Sequence, residues 1–163
     1  MLWGSDQTEK SPGFAAHHLL PIAARCPLLQ EVNLAGCEIG GMLPGVSMPE
    51  MVLLLESCQQ LTAFQARGGA PTGYRLLSAL AQLPRLTSLS LARTDVTDAS
   101  LLALVVLAEC TVRRSAQAVS FPALRQLSLA HCQQLEGPGV LALLAAVPSL
   151  TSLRVDGCTS RRR

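Results

Sequence analysis

The chain has 163 residues, 49% of them hydrophobic, 15% charged and 3% aromatic, with a net charge of +2. That length fits one compact domain or one short repeat array, and so aromatic-poor a composition demands an aliphatic core. The slight positive charge argues against nucleic acid as a partner: basic residues are scattered apart from Arg113-Arg114 and the Arg161-Arg162-Arg163 tail, with no aromatic-lined basic stripe.

In residues 1–13 no basic segment precedes an apolar one, so no secretory signal is visible and the stretch is expected to be irregular. Residues 14–25 read as a first helix, in which Pro21 either introduces a kink or leaves His17-His18 in the first turn. The organising pattern then begins. Leu29, Val32 and Leu34 follow the spacing Leu-x-x-Leu-x-Leu, which returns at Leu61/Phe64/Ala66, Leu86/Leu89/Leu91, Leu124/Leu127/Leu129 and Leu150/Leu153/Val155. The first anchors of successive triplets lie 32, 25, 38 and 26 residues apart, so the unit is 25–26 residues with two insertions. A period in that range marks a stacked solenoid.

Between the triplets the parts follow in order. Residues 40–46 form the first insertion, and Ser47-Met48-Pro49-Glu50 reads as a capping box ahead of a helix at 51–58. Pro71-Thr72 opens a helix at 73–83. Residues 87–91 alternate polar and apolar, the signature of a strand that buries Leu89 and Leu91 and turns Ser88 and Ser90 outward. A turn at Arg93-Thr94-Asp95 leads to Thr97, a good N-cap for a helix at 99–109. Residues 111–120 are the second insertion, expected like the first to leave the solenoid as a loop. Gly137-Pro138 opens the last helix, 139–147, with Pro where its missing N–H does no harm. The apolar runs 99–108 and 140–147 are far shorter than the ~20 residues of a membrane span, and read as helices buried against the strands. The expected fold is α/β, a right-handed solenoid of parallel strands on the concave side with helices outside, over residues 14–158, followed by a basic tail at 159–163. A cytoplasmic or nuclear location is expected.

Six cysteines suggest a disulfide framework until their placement is read. Cys37, Cys132 and Cys158 each fall three residues after the last anchor of a triplet, Cys26 and Cys58 three before the first, and Cys110 closes the helix-like run of the third repeat. Equivalent positions in stacked repeats point the same way, so free buried thiols are expected rather than bridges. No close ligand pair starts a zinc site.

The segment Cys26-x-x-Leu29-x-x-Val32-x-Leu34-x-x-Cys37 resembles the leucine-rich repeat, and within it the cysteine-containing, ribonuclease-inhibitor-like subtype. Phe121 and Val147 replace the leading cysteine in the fourth and fifth repeats, whose final cysteines are Cys132 and Cys158. The resemblance implies that the side chain after each strand donates to a neighbouring backbone carbonyl, a role open to Cys37, Thr94, Cys132 and Cys158 but closed to Gly69. The second repeat, with Gly69 and the small Ala66, is therefore the expected weak link. Proteins of this subtype often carry an F-box and recruit substrates to a ubiquitin ligase; the resemblance therefore implies that role only by analogy or as part of a longer architecture, since an F-box is not expected in the short segment ahead of the first helix. Neither end shows a polar capping repeat, so further repeats or self-association at the ends are also expected alternatives.

Enzyme chemistry finds no support. His17 and His18 point about 100° apart on a helix and cannot share a metal as i, i+4 neighbours would. His131 beside Cys132 suggests a nucleophile pair, but adjacent residues of an extended segment face opposite sides. Gly36, Gly40-Gly41 and Gly68-Gly69 lack the lysine of a phosphate loop. Glu31 and Asp156, the carboxylates of the concave face, sit at its opposite ends. No catalytic, cofactor or metal residue is nominated. The expected function is a protein–protein interaction module, with a ubiquitin-ligase recognition arm, an inhibitor-type regulator or a piece of a longer repeat protein as alternatives. Nominated partner contacts are Gln65, Arg67, Ser90, Arg93, Gln126, Ser128, His131, Arg154 and Asp156, with the arginines as anchors and the insertion loops as the competing surface.

Overall fold

Alternation of apolar and polar residues fixes one buried and one open face for each strand. In the computed structural model, which describes residues 19–35, 48–67, 73–112 and 121–158, β1 (Glu31–Ala35) buries Val32 and Leu34 and exposes the three residues between and beside them. The remaining elements are α1 (Leu19–Arg25), α2 (Met48–Ser57), β2 (Ala63–Arg67), α3 (Tyr74–Ala81), β3 (Ser88–Ser90), α4 (Asp98–Val112), β4 (Gln126–Ser128), α5 (Pro138–Ala146) and β5 (Ser152–Arg154). All five strands pair in parallel and in chain order, β1-β2-β3-β4-β5. The register is that of the repeat: Val32, Phe64, Leu89, Leu127 and Leu153 stand side by side across the sheet. This is the α/β solenoid that the repeat predicts, with helices on one face of the parallel sheet and the other face open.

A second device holds the repeats in step where the strands begin. The carbonyl of Gln30 accepts the backbone N–H groups of Thr62 and Ala63 at 2.8 and 3.1 Å, and the Thr62 hydroxyl at 3.1 Å. Thr87 and Thr151 repeat the arrangement, their hydroxyls donating to the carbonyls of Thr62 and Arg125 at 3.0 Å each.

The anchors fill one continuous aliphatic core. Leu61, Leu86 and Leu124 are fully buried, as are Phe64, Leu89 and Leu127 beside them. The small Ala66 is itself fully buried, as is Phe64 two residues before it. Burial fades at the fifth repeat: Leu150 and Leu153 are half-buried and Val155 is 41% exposed, against the expectation of a full anchor. β5 is the last strand of the sheet, and among the described residues no strand lies on its outer side.

The helices depart from expectation in three ways. α4 runs to Val112, past the expected end at Glu109, since Thr111 and Val112 carry no stop signal; only 113–120 of the second insertion lies outside the described residues. Pro21 is the third residue of α1, where it removes no helical hydrogen bond. Finally, α4 and α5 are not buried all round. Leu101, Leu104 and Leu143 pack inward, while Leu102, Val106, Leu141 and Leu144 face outward, because a solenoid covers only the sheet side of each helix. The 40–46 insertion, Ser47, Cys37, Gly69, His17 and His18 lie outside the described residues.

Helix entry is controlled by hydrogen bonds, one of them borrowed from a neighbour. Thr97 caps α4 as expected: its hydroxyl accepts the Ser100 N–H at 3.1 Å, and the Ser100 hydroxyl accepts the Thr97 N–H at 3.2 Å. α5 begins after Gly137, which has no side chain to offer. Asp98 of the preceding repeat supplies the acceptor, its carboxylate taking the N–H groups of Gly139 at 2.7 Å and Glu136 at 2.6 Å. Gly139 permits that approach, since a Cβ there would stand 2.7 Å from the Asp98 Cα.

Two tests follow from this packing. Leu89→Ala and Leu127→Ala each lose about 2–5 kcal/mol in urea unfolding, while the half-buried Leu153→Ala loses clearly less. Equal losses at all three would mean that the core does not fade toward β5. Asp98→Ala removes the acceptor shared by two backbone donors and lowers stability by about 1–2 kcal/mol, with hydrogen exchange at Gly139 rising first. Unchanged exchange there would show that water replaces the carboxylate without loss.

Candidate functional site

Residues that alternate with the buried anchors share the open face of the sheet. The register sets Asn33, Gln65, Ser90, Ser128 and Arg154 in one row across all five strands, neighbours being about 4.8 Å apart. A parallel row runs Glu31, Ala63, Ser88, Gln126, Ser152, and Arg67 lies opposite Ala35 at the far edge. The structure therefore brings Gln65, Ser90, Gln126, Ser128 and Arg154 together as nominated. Ser90 and Ser128 are only half-exposed, so the centre of this face is a shallow neutral floor. Two residues of the face already have internal partners. Asn33 accepts the Ala35 N–H at 2.9 Å, and the Arg154 guanidinium lies 3.5 Å from the Asp156 carboxylate. That pair is largely exposed, so it orients Arg154 more than it stabilises the fold.

Beyond the strands the backbone ladder continues into the turns. Leu91 and Arg93 donate to the carbonyls of Ser128 and Ala130, and Leu129 and His131 to those of Arg154 and Asp156, all at 2.7–2.8 Å. Arg93 and His131 take left-handed backbone angles, φ +59° and +60°, as Gly157 does at +71° in the next repeat. The three positions are equivalent, each two residues past the last anchor. A left-handed conformation costs a side-chain-bearing residue roughly 1–2 kcal/mol relative to the right-handed one, and glycine almost nothing.

The turn then carries the chain inward. Thr94 and Cys132 are buried and Cys158 half-buried. The Cys132 thiol donates to the Leu91 carbonyl at 3.1 Å and the Cys158 thiol to that of Leu129 at 3.0 Å, each reaching back one repeat. Thr94 donates to the same Leu91 carbonyl at 2.7 Å. The donors to neighbouring carbonyls anticipated at Thr94, Cys132 and Cys158 are thus in place, the two thiols across repeats and Thr94 within its own. Cys26, Cys58, Cys132 and Cys158 are all free. Burial pushes the Cys132 thiol above its ordinary value, with the charge of Cys158 adding to the rise and hydrogen bonds from Thr94 and Arg93 opposing it. Burial, then the charge of Cys26, raises Cys58. Both therefore stay protonated at neutral pH, the state in which a thiol donates.

Where the turns leave the sheet, they enclose a cleft of about 430 Å³ lined by Arg93, Thr94, Asp95, His131, Gln133 and Gln134. Two nominated residues, Arg93 and His131, meet there, whereas Gln65, Arg67, Ser90, Gln126 and Ser128 remain on the sheet face. Sequence reading missed Asp95, Gln133 and Gln134, although Asp95 and Gln133 stand at the same place in consecutive repeats, four residues past the last anchor. A second hollow, of about 310 Å³, lies on the helical side among Val52, Glu56, Gln59, Tyr74, Arg75, Ser78, Ala79 and Gln82. Among the described residues no three of His, Cys, Asp or Glu gather where they could hold a metal, and no helix is long and apolar enough to cross a membrane. His131 is exposed while Cys132 beside it is buried, so the two do not form a nucleophile pair.

The family model described as Leucine Rich repeat matches residues 25–41 and 122–144, the first and fourth repeats. Those two segments match leucine-rich repeats, and the parallel five-stranded solenoid agrees with that match. Comparison with curated proteins gives no match. Leucine-rich repeats generally mediate protein–protein interaction.

The buried thiols provide a test of the ladder. With an iodoacetamide pulse at neutral pH, the exposed Cys26 is alkylated first while Cys58 and Cys132 resist until the protein unfolds. Stability carries the same signature. The contribution of the raised thiols is fully present below the ordinary thiol range and is lost as pH climbs through the raised folded values, because the unfolded chain ionises first. A melting temperature that rises through that alkaline window would contradict the burial described.

Proposed function

We propose that this chain is a non-enzymatic protein-binding module of the cysteine-containing, ribonuclease-inhibitor-like kind, engaging its partner with the concave sheet and the turns at its edge. The single observation that carries the reading is the row Gln65, Ser90, Ser128, Arg154. Strands in strict register present these side chains in line, on a face that no helix among the described residues covers. The two thiols that donate to the carbonyls of the preceding repeat support the subtype, and they suit a reducing compartment such as the cytoplasm. A small, neutral floor flanked by Arg67, Arg93 and Arg154 accepts a convex partner surface, with the planar donors of arginine at its rim.

A second reading rests on the half-buried Leu150 and Leu153 and the exposed Val155, an apolar edge against which a further repeat or a second copy could stack. Affinity capture with three forms of the protein separates the two. Replacing Ser90 and Ser128 by Glu places charge in the neutral floor without touching the core, and the melting temperature stays put. Proteins captured by the parent chain are then lost, while Leu141→Glu on the helical side retains them. If the Ser90/Ser128 double variant retains every captured protein, the concave face is not the recognition surface. Concentration-dependent sedimentation that Val155→Glu abolishes would favour stacking instead.

A further inference from the structure

We propose that the cleft beside Arg93 and His131 receives a carboxylate of the partner polypeptide, either its C-terminus or an Asp or Glu side chain. This deepens the protein-binding reading above and rests on it. The Arg93 guanidinium has no carboxylate within ion-pair distance among the described residues, whereas Arg154 is already paired with Asp156. The planar guanidinium matches a carboxylate with two parallel N–H donors, and the pairing is strong where the groups are held in place.

The holding is visible. Arg93 and His131 occupy the same position of adjacent repeats, and their backbones are pinned by the N–H donations to Ala130 and Asp156 at 2.8 and 2.7 Å. The two side chains therefore leave neighbouring strands about one strand spacing apart and border one cavity. Both residues keep side chains on a left-handed backbone where the next repeat has Gly157. The His131 ring lies against that glycine so closely that a Cβ at position 157 would collide with its Nδ1, so glycine there leaves the ring its place beside the cleft. Strain retained at two adjacent sites, both donor-bearing and both facing one cavity, points to recognition rather than to folding.

The rest of the lining selects the ligand. Asp95 brings a negative charge to the cleft, so a dianionic phosphate or a polyacidic run is repelled while a single carboxylate is balanced by Arg93. Asp95 then accepts the N–H of the residue bearing that carboxylate. The Gln133 and Gln134 amides both donate and accept, and so complement the adjoining peptide bond.

The test is NMR titration of the full chain, labelled with ¹⁵N and ¹³C, with three peptides: Ac-Ala-Ala-Ala-OH, Ac-Ala-Asp-Ala-NH₂ and the neutral Ac-Ala-Ala-Ala-NH₂. Expected are saturable shifts of the Arg93 and His131 side-chain signals with one or both acidic peptides and none with the neutral one. Which acid binds tighter names the source of the carboxylate. Arg93→Gln weakens the binding at least tenfold without lowering the melting temperature, His131→Gln weakens it less, and Arg85→Gln, at an exposed arginine outside the cleft, leaves it unchanged. No shift with either acid, equal shifts with the neutral peptide, or undiminished binding in Arg93→Gln overturns the proposal. Capture of proteins by the concave face is scored separately. If capture survives Arg93→Gln while no carboxylate binds, only the cleft assignment falls; if carboxylates bind but the Ser90/Ser128 variant captures normally, the concave-face reading falls.

Discussion

The carbonyls just ahead of the strands hold this molecule in register. Gln30, Thr62, Thr87 and Arg125 each accept two consecutive backbone N–H groups of the following repeat, and at three of the four a threonine hydroxyl joins them. One oxygen shared in this way admits a single alignment of neighbouring strands. A slip by one residue would turn every anchor onto the open face, which in a chain this rich in leucine exposes the core. The rows of the concave face, the stacking of thiols and the pairing of Arg93 with His131 all inherit that alignment.

The core and the register could be read from the sequence because both depend on a spacing that returns five times. Val32, Phe64, Leu89, Leu127 and Leu153 were in line on paper and are in line in the sheet. The donor role of Cys132 and Cys158 is what the resemblance to the leucine-rich repeat implies, and both thiols donate. What the pattern could not supply was anything that depends on two repeats differing. Asp98 caps a helix belonging to the next repeat because Gly137 and Gly139 stand there, and no periodicity announces a side chain lent across forty residues of chain. The outward apolar residues of α4 and α5 escaped for a related reason. A helix apolar all round reads as buried, but a single-sheet solenoid has only one side to bury it.

The same distinction separates the two candidate surfaces. Residues of the sheet face were nominated because strand alternation tells which side chains point outward, and the structure places Gln65, Ser90 and Ser128 accordingly. The cleft is made by turns, where direction is set by backbone angles rather than by alternation. A left-handed angle at Arg93 and His131 swings the following residues past the sheet edge, and so Asp95, Gln133 and Gln134 line a cavity that no strand pattern foretells. A partial signal was present: Gly157 occupies the position of Arg93 and His131 in its own repeat, and glycine is the residue a left-handed position favours.

That substitution pattern bears on how function is imposed on a fold of this kind. The interior of each repeat is constrained by its neighbours on both sides, so variation there is costly: burying Thr94 or Cys132 at the turn requires a donor for a backbone carbonyl, and both provide one to Leu91. The turn residue immediately before them is constrained only in φ, and glycine would satisfy it with least strain. An arginine and a histidine at that point add nothing to the core and stand exposed. Their cost is local and small against the stability of a packed array, and adjacent repeats are what place them side by side. A repeat solenoid can therefore assemble a binding constellation from single residues in successive turns, each tolerated because the register that aligns them is secured elsewhere, at the opposite end of the strands.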